Sequence, residues 1–465
     1  MDQTSISLIF ETGNYPFEIR SIMEENNLTK EEKRDARRRR RLRNQIAAYT
    51  IVLVLIVLAA SGIVLGIGKI MEVREEAEKE VQSSQDALNE MLASENAIQT
   101  PEPTPPAVVE LTPEQKLDEI VNAGIEVMPL EDKVAGLFIV TPEAITGVTT
   151  AVQAGDGTKQ ALTQYPVGGL IYFTKNIQSE DQITKMLDNT ELYAHYPIFL
   201  AVDEEGGSVA RLAEARVGTK VDSAKTIGES GDTNNAYLAA RSIGGDLSRI
   251  GFNLDFAPVA DIANVENSAI EARSYGSDAE KAASYVAAAV QGLSEQGITS
   301  CLKHFPGIGS TTQDTHNALA STSRTAEQFR TEEFTVFQAG IDAGADMVMI
   351  GHISAPELTG NNEPCTFSQE VVTGILRNEM GFKGVIITDA MNMKAVSDYY
   401  DSAEAAIQAL RAGCDMILMP EDFEEAYNGV LQAVQDGTIS EERIDDSLRR
   451  IYRIKYADKV EAAAE

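Results

Sequence analysis

From residue 111 onward, short apolar runs alternate with amphipathic stretches. Runs rich in β-branched residues recur at Val134–Val140, Gly168–Phe173, Ile198–Val202, Phe252–Pro258, Ile298–Lys303, Met347–His352, Val385–Thr388 and Met416–Met419. Their length and composition predict buried strands. Between most of them apolar positions recur every 3.6 residues, as in Asn234–Ile250, Lys281–Gln296, Ala326–Ala343, Ser368–Met380 and Ala403–Gly413. That period predicts helices. Eight strands alternating with helices over about 350 residues predict an α/β fold, a (β/α)8 TIM-type barrel spanning 111–465. An open doubly wound sheet competes, but the GxGxxG that would open its first helix is missing.

One apolar run is of another kind. Ile46 to Gly68 is 23 residues without a charge. As a helix it would extend about 34 Å, against a hydrocarbon core of about 30 Å. The run Arg37–Arg41 precedes it, and Glu72, Glu75 and Glu76 follow. This pattern predicts a single transmembrane helix over 46–68, acting as a signal anchor. Residues 1–45 would be a basic cytoplasmic segment, with everything after residue 70 outside the membrane. A cleaved signal peptide, with Ala59-Ala60-Ser61 as its small-residue site, and a buried core helix are the alternatives. The long lead and the length of the run favour an uncleaved anchor. Residues 69–110 read as a stalk and a Pro-rich linker, ending in Thr100-Pro-Glu-Pro-Thr-Pro-Pro106.

Charge sharpens this division. Residues 1–45 carry 10 basic and 8 acidic groups, whereas residues 71–465 carry 28 and 64. The whole chain has a formal net charge of −33. So acidic a surface repels polynucleotides, and no nucleic-acid partner is expected. Three cysteines, Cys301, Cys365 and Cys414, make no disulfide framework, and no CxxC or Cys/His cluster has zinc spacing.

In a (β/α)8 barrel, functional groups sit just past the C-terminal ends of the strands. Polar residues gather there. Asp203-Glu-Glu-Gly-Gly207 and Arg211 follow the third run, and Asp261 the fourth. Lys303 and His304 end the fifth, His352 the sixth and Asp389 the seventh. Of four histidines only His195 lies elsewhere, because His316 follows His304 on the same Gly-rich loop. Each has a plainer reading. Asp389 could cap a helix. Asp203 and Glu204 could form a solvated turn, Lys303 a surface charge, and Arg273 a loop pin. His352 suits hydrogen-bonding support better than catalysis. A barrel metallohydrolase would need clustered histidines, and Asp314-Thr-His316 is no His-x-His pair. No metal or cofactor is expected.

Read together, these segments resemble glycoside hydrolase family 3, in its bacterial β-N-acetylhexosaminidase branch, over roughly 111–455. Ala201-Val-Asp-Glu-Glu-Gly-Gly207 with Arg211-Leu212 is similar to the family's sugar-binding Asp-x-Glu-Gly-Gly segment. Asn253-Leu-Asp-Phe-Ala-Pro-Val-Ala-Asp261 is similar to a barrel-strand signature, and Arg273-Ser-Tyr-Gly-Ser-Asp278 to a substrate-arginine loop. Lys303-His-Phe-Pro-Gly307 matches the sugar-binding Lys-His pair, and Thr388-Asp-Ala390 the segment carrying the nucleophile. Asp314-Thr-His316 resembles the acid/base dyad particular to the hexosaminidase branch. With only about 75 residues after Asp389, no second domain is expected to supply an acid. Two positions depart from the pattern: Ile308 stands where many relatives have His, and Ser208 where many have Arg.

The resemblance implies that 111–465 is a family 3 N-terminal-type catalytic barrel. It implies a retaining exo-glycosidase removing terminal β-linked N-acetylglucosamine from cell-wall or related glycans outside the membrane. Asp389 would be the nucleophile, and His316 the acid/base oriented by Asp314. Asp203, Arg211, Arg273, Lys303 and His304 would grip the carbohydrate. Three alternatives stay open. They are a phosphorylase transferring the same sugar to phosphate, a β-glucosidase-type hydrolase, and a sugar-binding protein on an inactive barrel.

Overall fold

A computed structural model describes residues 111–313 and 318–462 of the chain. The eight apolar runs become eight short strands: β1 (Phe138–Val140), β2 (Gly169–Ile171), β3 (Phe199–Val202), β4 (Leu254–Asp255), β5 (Thr299–Phe305), β6 (Met347–Ile350), β7 (Val385–Thr388) and β8 (Ile417–Leu418). Nearly every strand residue is buried. A parallel sheet is covered on both faces, which is why these runs read as continuous rather than alternating. The hydrogen-bonded order is β7-β6-β5-β4-β3-β2-β1-β8, parallel throughout. Ile387 on β7 bridges Met416, beside β8, so the sheet curls into a nearly closed barrel.

Helices pack outside, with boundaries set by local chemistry. Asn234–Ile250 ends at Gly251, whose φ of 107° is the left-handed stop. Ala279–Ser294 starts where the Asp278 side chain accepts from Lys281 N, and Ser402–Ala412 where Asp401 accepts from Glu404 N.

Three stretches differ from the periodicity. Ala326–Ala343 is two helices, Ala326–Thr331 and Glu333–Asp342, broken at Glu332. Ser368–Met380 is a helix over Glu370–Glu379 with i→i+5 hydrogen bonds. Val134–Val140 yields strand only from Phe138, because Leu130–Ala135 is helical. On the closing side of the barrel, fully buried Asp415 accepts from Ile386 N and pairs with Arg377 and Arg450. That network ties β7 to the last helix, Glu441–Ala462.

The membrane expectation is corrected. Among the described residues no helix is long and apolar enough to cross a membrane. The longest, Glu441–Ala462, is laced with charged residues that a hydrocarbon core would exclude. The segment 46–68 lies outside the described residues. The transmembrane helix, the membrane partner and the single-pass location all rested on it, and none is carried further.

Candidate active site

The strand registers bring the sequence candidates to one end of the barrel. β7 pairs with β6 from Val385–Met347 to Thr388–Ile350, and Asp389 N then donates to Ile350 O at 2.9 Å. Asp389 is therefore the first residue past the strand. Its Oδ1 accepts from Ala390 N at 2.7 Å. It caps no helix, because the turn Lys394–Ser397 begins after Met393 without a side-chain cap. Fully buried His352, at the end of β6, supports this corner. Its Nε2 meets Ala390 O at 3.1 Å and its Nδ1 meets Thr366 Oγ1 at 2.7 Å. A carbonyl only accepts, so Nε2 carries the proton and Nδ1 accepts from the hydroxyl. Burial, countered in part by Asp389, leaves the ring less basic than usual.

Past β3 the chain folds into a small hairpin, Glu204–Gly206 against Val209–Ala210. Alternation along it sends neighbours to opposite sides. Glu204 is buried under the hairpin, where its carboxylate accepts from Leu212 N (2.7 Å) and Ala213 N (3.2 Å) and caps the turn that starts at Arg211. Burial pushes the Glu204 carboxyl up to about 7 despite those bonds. Asp203 and Glu205 point the other way, toward the barrel mouth, so this is no solvated acidic turn.

Lys303 is 2% exposed, and this excludes the surface-charge reading. Its Nζ lies 2.7 Å from both Asp203 Oδ1 and Glu205 Oε1. Arg273 reaches Glu205 with two bonds, 2.8 and 2.7 Å. Arg211 is 4.0 Å from Asp203 and lies over the Phe173 ring. Burial alone would raise the Glu205 carboxyl, but the Lys303 and Arg273 charges overcome it and hold the group at about 2. Burial alone would lower Lys303, yet Asp203 and Glu205 keep it above the ordinary lysine range. Glu205, Lys303 and Arg273 are thus charged at neutral pH.

His304 is set by Asp261, whose Oδ2 lies 2.7 Å from Nδ1 and 3.1 Å from His304 N, while Oδ1 accepts from Ile308 N at 2.7 Å. The carboxylate accepts, so Nδ1 carries the proton. Ile308 keeps its backbone donor in place, and its side chain is buried where relatives were expected to place His. Ser208, the other departure, is exposed in the hairpin turn.

Asp203, Arg211, Arg273, Lys303, His304 and Asp389 all line one cleft of about 230 Å³, and all six were singled out in the sequence. Met349, Met393 and Met419 give it an apolar wall. Asp314 and His316 lie outside the described residues. Sequence reasoning missed Glu205, although it stands two residues after Asp203 and so on the same face. It noted Asp261 without giving it a role.

Comparison with known proteins agrees with this arrangement. The N-terminal domain of glycosyl hydrolase family 3 matches residues 129–454. The chain belongs to glycosyl hydrolase family 3. Within family 3 it is similar to β-hexosaminidase A of Pseudoalteromonas piscicida, 30% identical over 326 residues, which are 64% of this chain and 54% of that protein. It is also similar to β-hexosaminidase of Nitrosomonas eutropha, 34% identical over 266 residues, 56% of this chain and 75% of that protein. A solved family 3 β-N-acetylglucosaminidase from Paenibacillus sp. superposes with a TM-score of 0.68 at 35% identity, covering 72% of this chain and 64% of that one. The chain thus spans about half the length of the first relative and less than two thirds of the third. The expected family and its hexosaminidase-like branch are both met.

Proposed function

We propose that this protein is a retaining glycosidase that removes a terminal β-linked N-acetylglucosamine from a glycan. The observation that carries the reading is that the Asp389 carboxylate, at the end of β7, shares one cleft with the ion-paired group Asp203, Lys303, Glu205 and Arg273. The cleft is small enough to suit one sugar unit rather than a bound chain. The names of the hexosaminidase relatives support the choice of sugar.

In the first step Asp389 attacks the anomeric carbon and the bond to the leaving oxygen breaks, with His316 giving that oxygen a proton. In the second step His316 takes a proton from water, the water oxygen bonds the anomeric carbon, and Asp389 is released. Asp314 orients the imidazole and stabilises its charged form. Asp203, Arg211, Lys303, Arg273 and the second nitrogen of His304 hold sugar hydroxyls and the N-acetyl group. A substrate lacking those groups leaves charges unpaired, which gives discrimination.

The test is the purified protein on a panel of aryl β-glycosides, with and without phosphate. Faster cleavage of the N-acetylglucosaminide, with free sugar as product, supports the reading. Preference for the glucoside, or sugar 1-phosphate as the main product, sinks it.

A further inference from the structure

Glu333 is an acidic residue that the cleft does not use, yet it is only 1% exposed. It opens the helix Glu333–Asp342, at the break after Thr331 that the apolar periodicity does not foretell. Three separate pieces of chain converge on it. Asn264, on the loop after β4, donates from Nδ2 to Oε1 at 2.9 Å. Arg324 places Nε 2.7 Å from the same oxygen and reaches Glu332 with its other end, also at 2.7 Å. Gly307, just past the Lys303–His304 pair, lies flat against the side chain: a Cβ there would stand 2.6 Å from Glu333 Cγ.

Gly307 and Arg324 are the two limbs of one loop. The limbs are tied to each other where Ser310 Oγ donates to Thr322 Oγ1 at 2.7 Å. They are tied to the barrel rim by Ser268 Oγ on Gly309 O (2.9 Å) and Thr322 N on Ser354 O (2.9 Å). A Cβ on Gly309 would fall 1.8 Å from Ile262 O, so this limb too is pressed against the neighbouring loop. Glu333 touches both limbs and the β4 loop together.

We propose that Glu333 is a positioning residue for the proton-transfer step, holding the two limbs of the loop that carries Asp314 and His316 in register with the cleft. The inference rests on His316 being the acid/base. Simple packing does not call for a carboxylate at this place, because a buried charge is costly and an apolar side chain would fill the space more cheaply. The cost is visible: among the described residues Glu333 Oε2 has no hydrogen-bond partner, and Arg324 Nε and Nη2 meet their carboxylates as ion pairs without hydrogen-bond geometry. Burial raises the group to about 7, with Arg324 and Asn264 pulling it down and Glu332 pushing it up. The clamp is therefore charged above neutral pH and discharged below it.

The experiment is Glu333→Gln in the full chain, assayed at pH 6 and pH 8 on two N-acetylglucosaminides, one with a dinitrophenyl and one with an alkyl leaving group. The alkyl substrate depends on the acid; the dinitrophenyl one hardly does. At pH 8 the variant is expected to lose about tenfold in kcat/KM on the alkyl substrate and less than about twofold on the dinitrophenyl one. At pH 6 the wild type is itself discharged, and the gap should close. Arg324→Gln should show the same split at pH 8, and it carries the test if Glu333→Gln does not fold. Equal losses on both substrates, or equal losses at both pH values, overturn the proposal. His316→Ala is the control. A split there that is absent in the other two variants removes only the role of Glu333; no split in His316→Ala removes the acid/base assignment and this inference with it.

Discussion

Lys303 Nζ and Glu205 Oε1 form an ion pair of 2.7 Å whose side chains are only 3% and 6% exposed. Two charges so far from water are stable only because each has more than one partner: Asp203 also takes Lys303, and Arg273 also holds Glu205. Glu205→Gln leaves both cations short of a counter-charge. Its expected cost is about 3 kcal/mol at pH 7, with KM for the N-acetylglucosaminide rising. The Glu205 carboxyl is held at about 2, below the ordinary glutamate value of 4.5, so its stabilisation is full above pH 4.5 and fades as pH falls toward 2. Urea unfolding at pH 7 and pH 3 checks this: the gap between wild type and variant should narrow at the lower pH.

Asp389→Asn keeps the shape of the side chain and removes the carboxylate proposed as nucleophile. Turnover of an aryl N-acetylglucosaminide should fall at least about a thousandfold with an unchanged melting temperature. Undiminished turnover would remove Asp389 from the role of nucleophile.

His352 acts on the carbonyl directly after Asp389 and on Thr366. His352→Ala should lower kcat by about tenfold, with KM within about twofold, through loss of alignment. His352→Gln, which can still donate to Ala390 O, should recover part of kcat. Equal loss in both variants would argue against a positional role.

Glu204 should give the folding stability a pH dependence. Burial raises it from 4.5 to about 7, so its contribution is full below pH 4.5 and is lost as pH rises through about 7. Glu204→Gln cannot ionise. Relative to it, the wild type should lose on the order of 3 kcal/mol between pH 4.5 and pH 8. His352, whose basicity is lowered, acts in the opposite sense as pH falls, but it is common to both proteins and cancels in the comparison.

Much of the fold was legible because a parallel barrel buries both faces of its strands. Val385–Thr388 reads as a strand from composition alone, and Asn234–Ile250 is found at its predicted bounds. Five of the six cleft residues were legible for a topological reason: a strand that ends in the barrel delivers the next polar residues to the same rim, whereas Arg273 was legible only through the resemblance of its loop to the family's. The extent of shorter strands such as Leu254–Asp255, inside the predicted Phe252–Pro258, was not, because β-propensity marks apolar chain and not the register at which pairing stops.

The sequence by itself determined the alternation, the barrel and the positions of Asp203, Arg211, Arg273, Lys303, His304 and Asp389. Tertiary structure alone decided who pairs with whom. Glu205 and Lys303 stand almost a hundred positions apart, and Glu333 meets Asn264 and Gly307 only because the loops after β4 and β5 leave the same end of the barrel. Local periodicity records which side of a strand or helix is buried. It carries no trace of contacts between loops, whose geometry is fixed by the closure of the sheet beneath them.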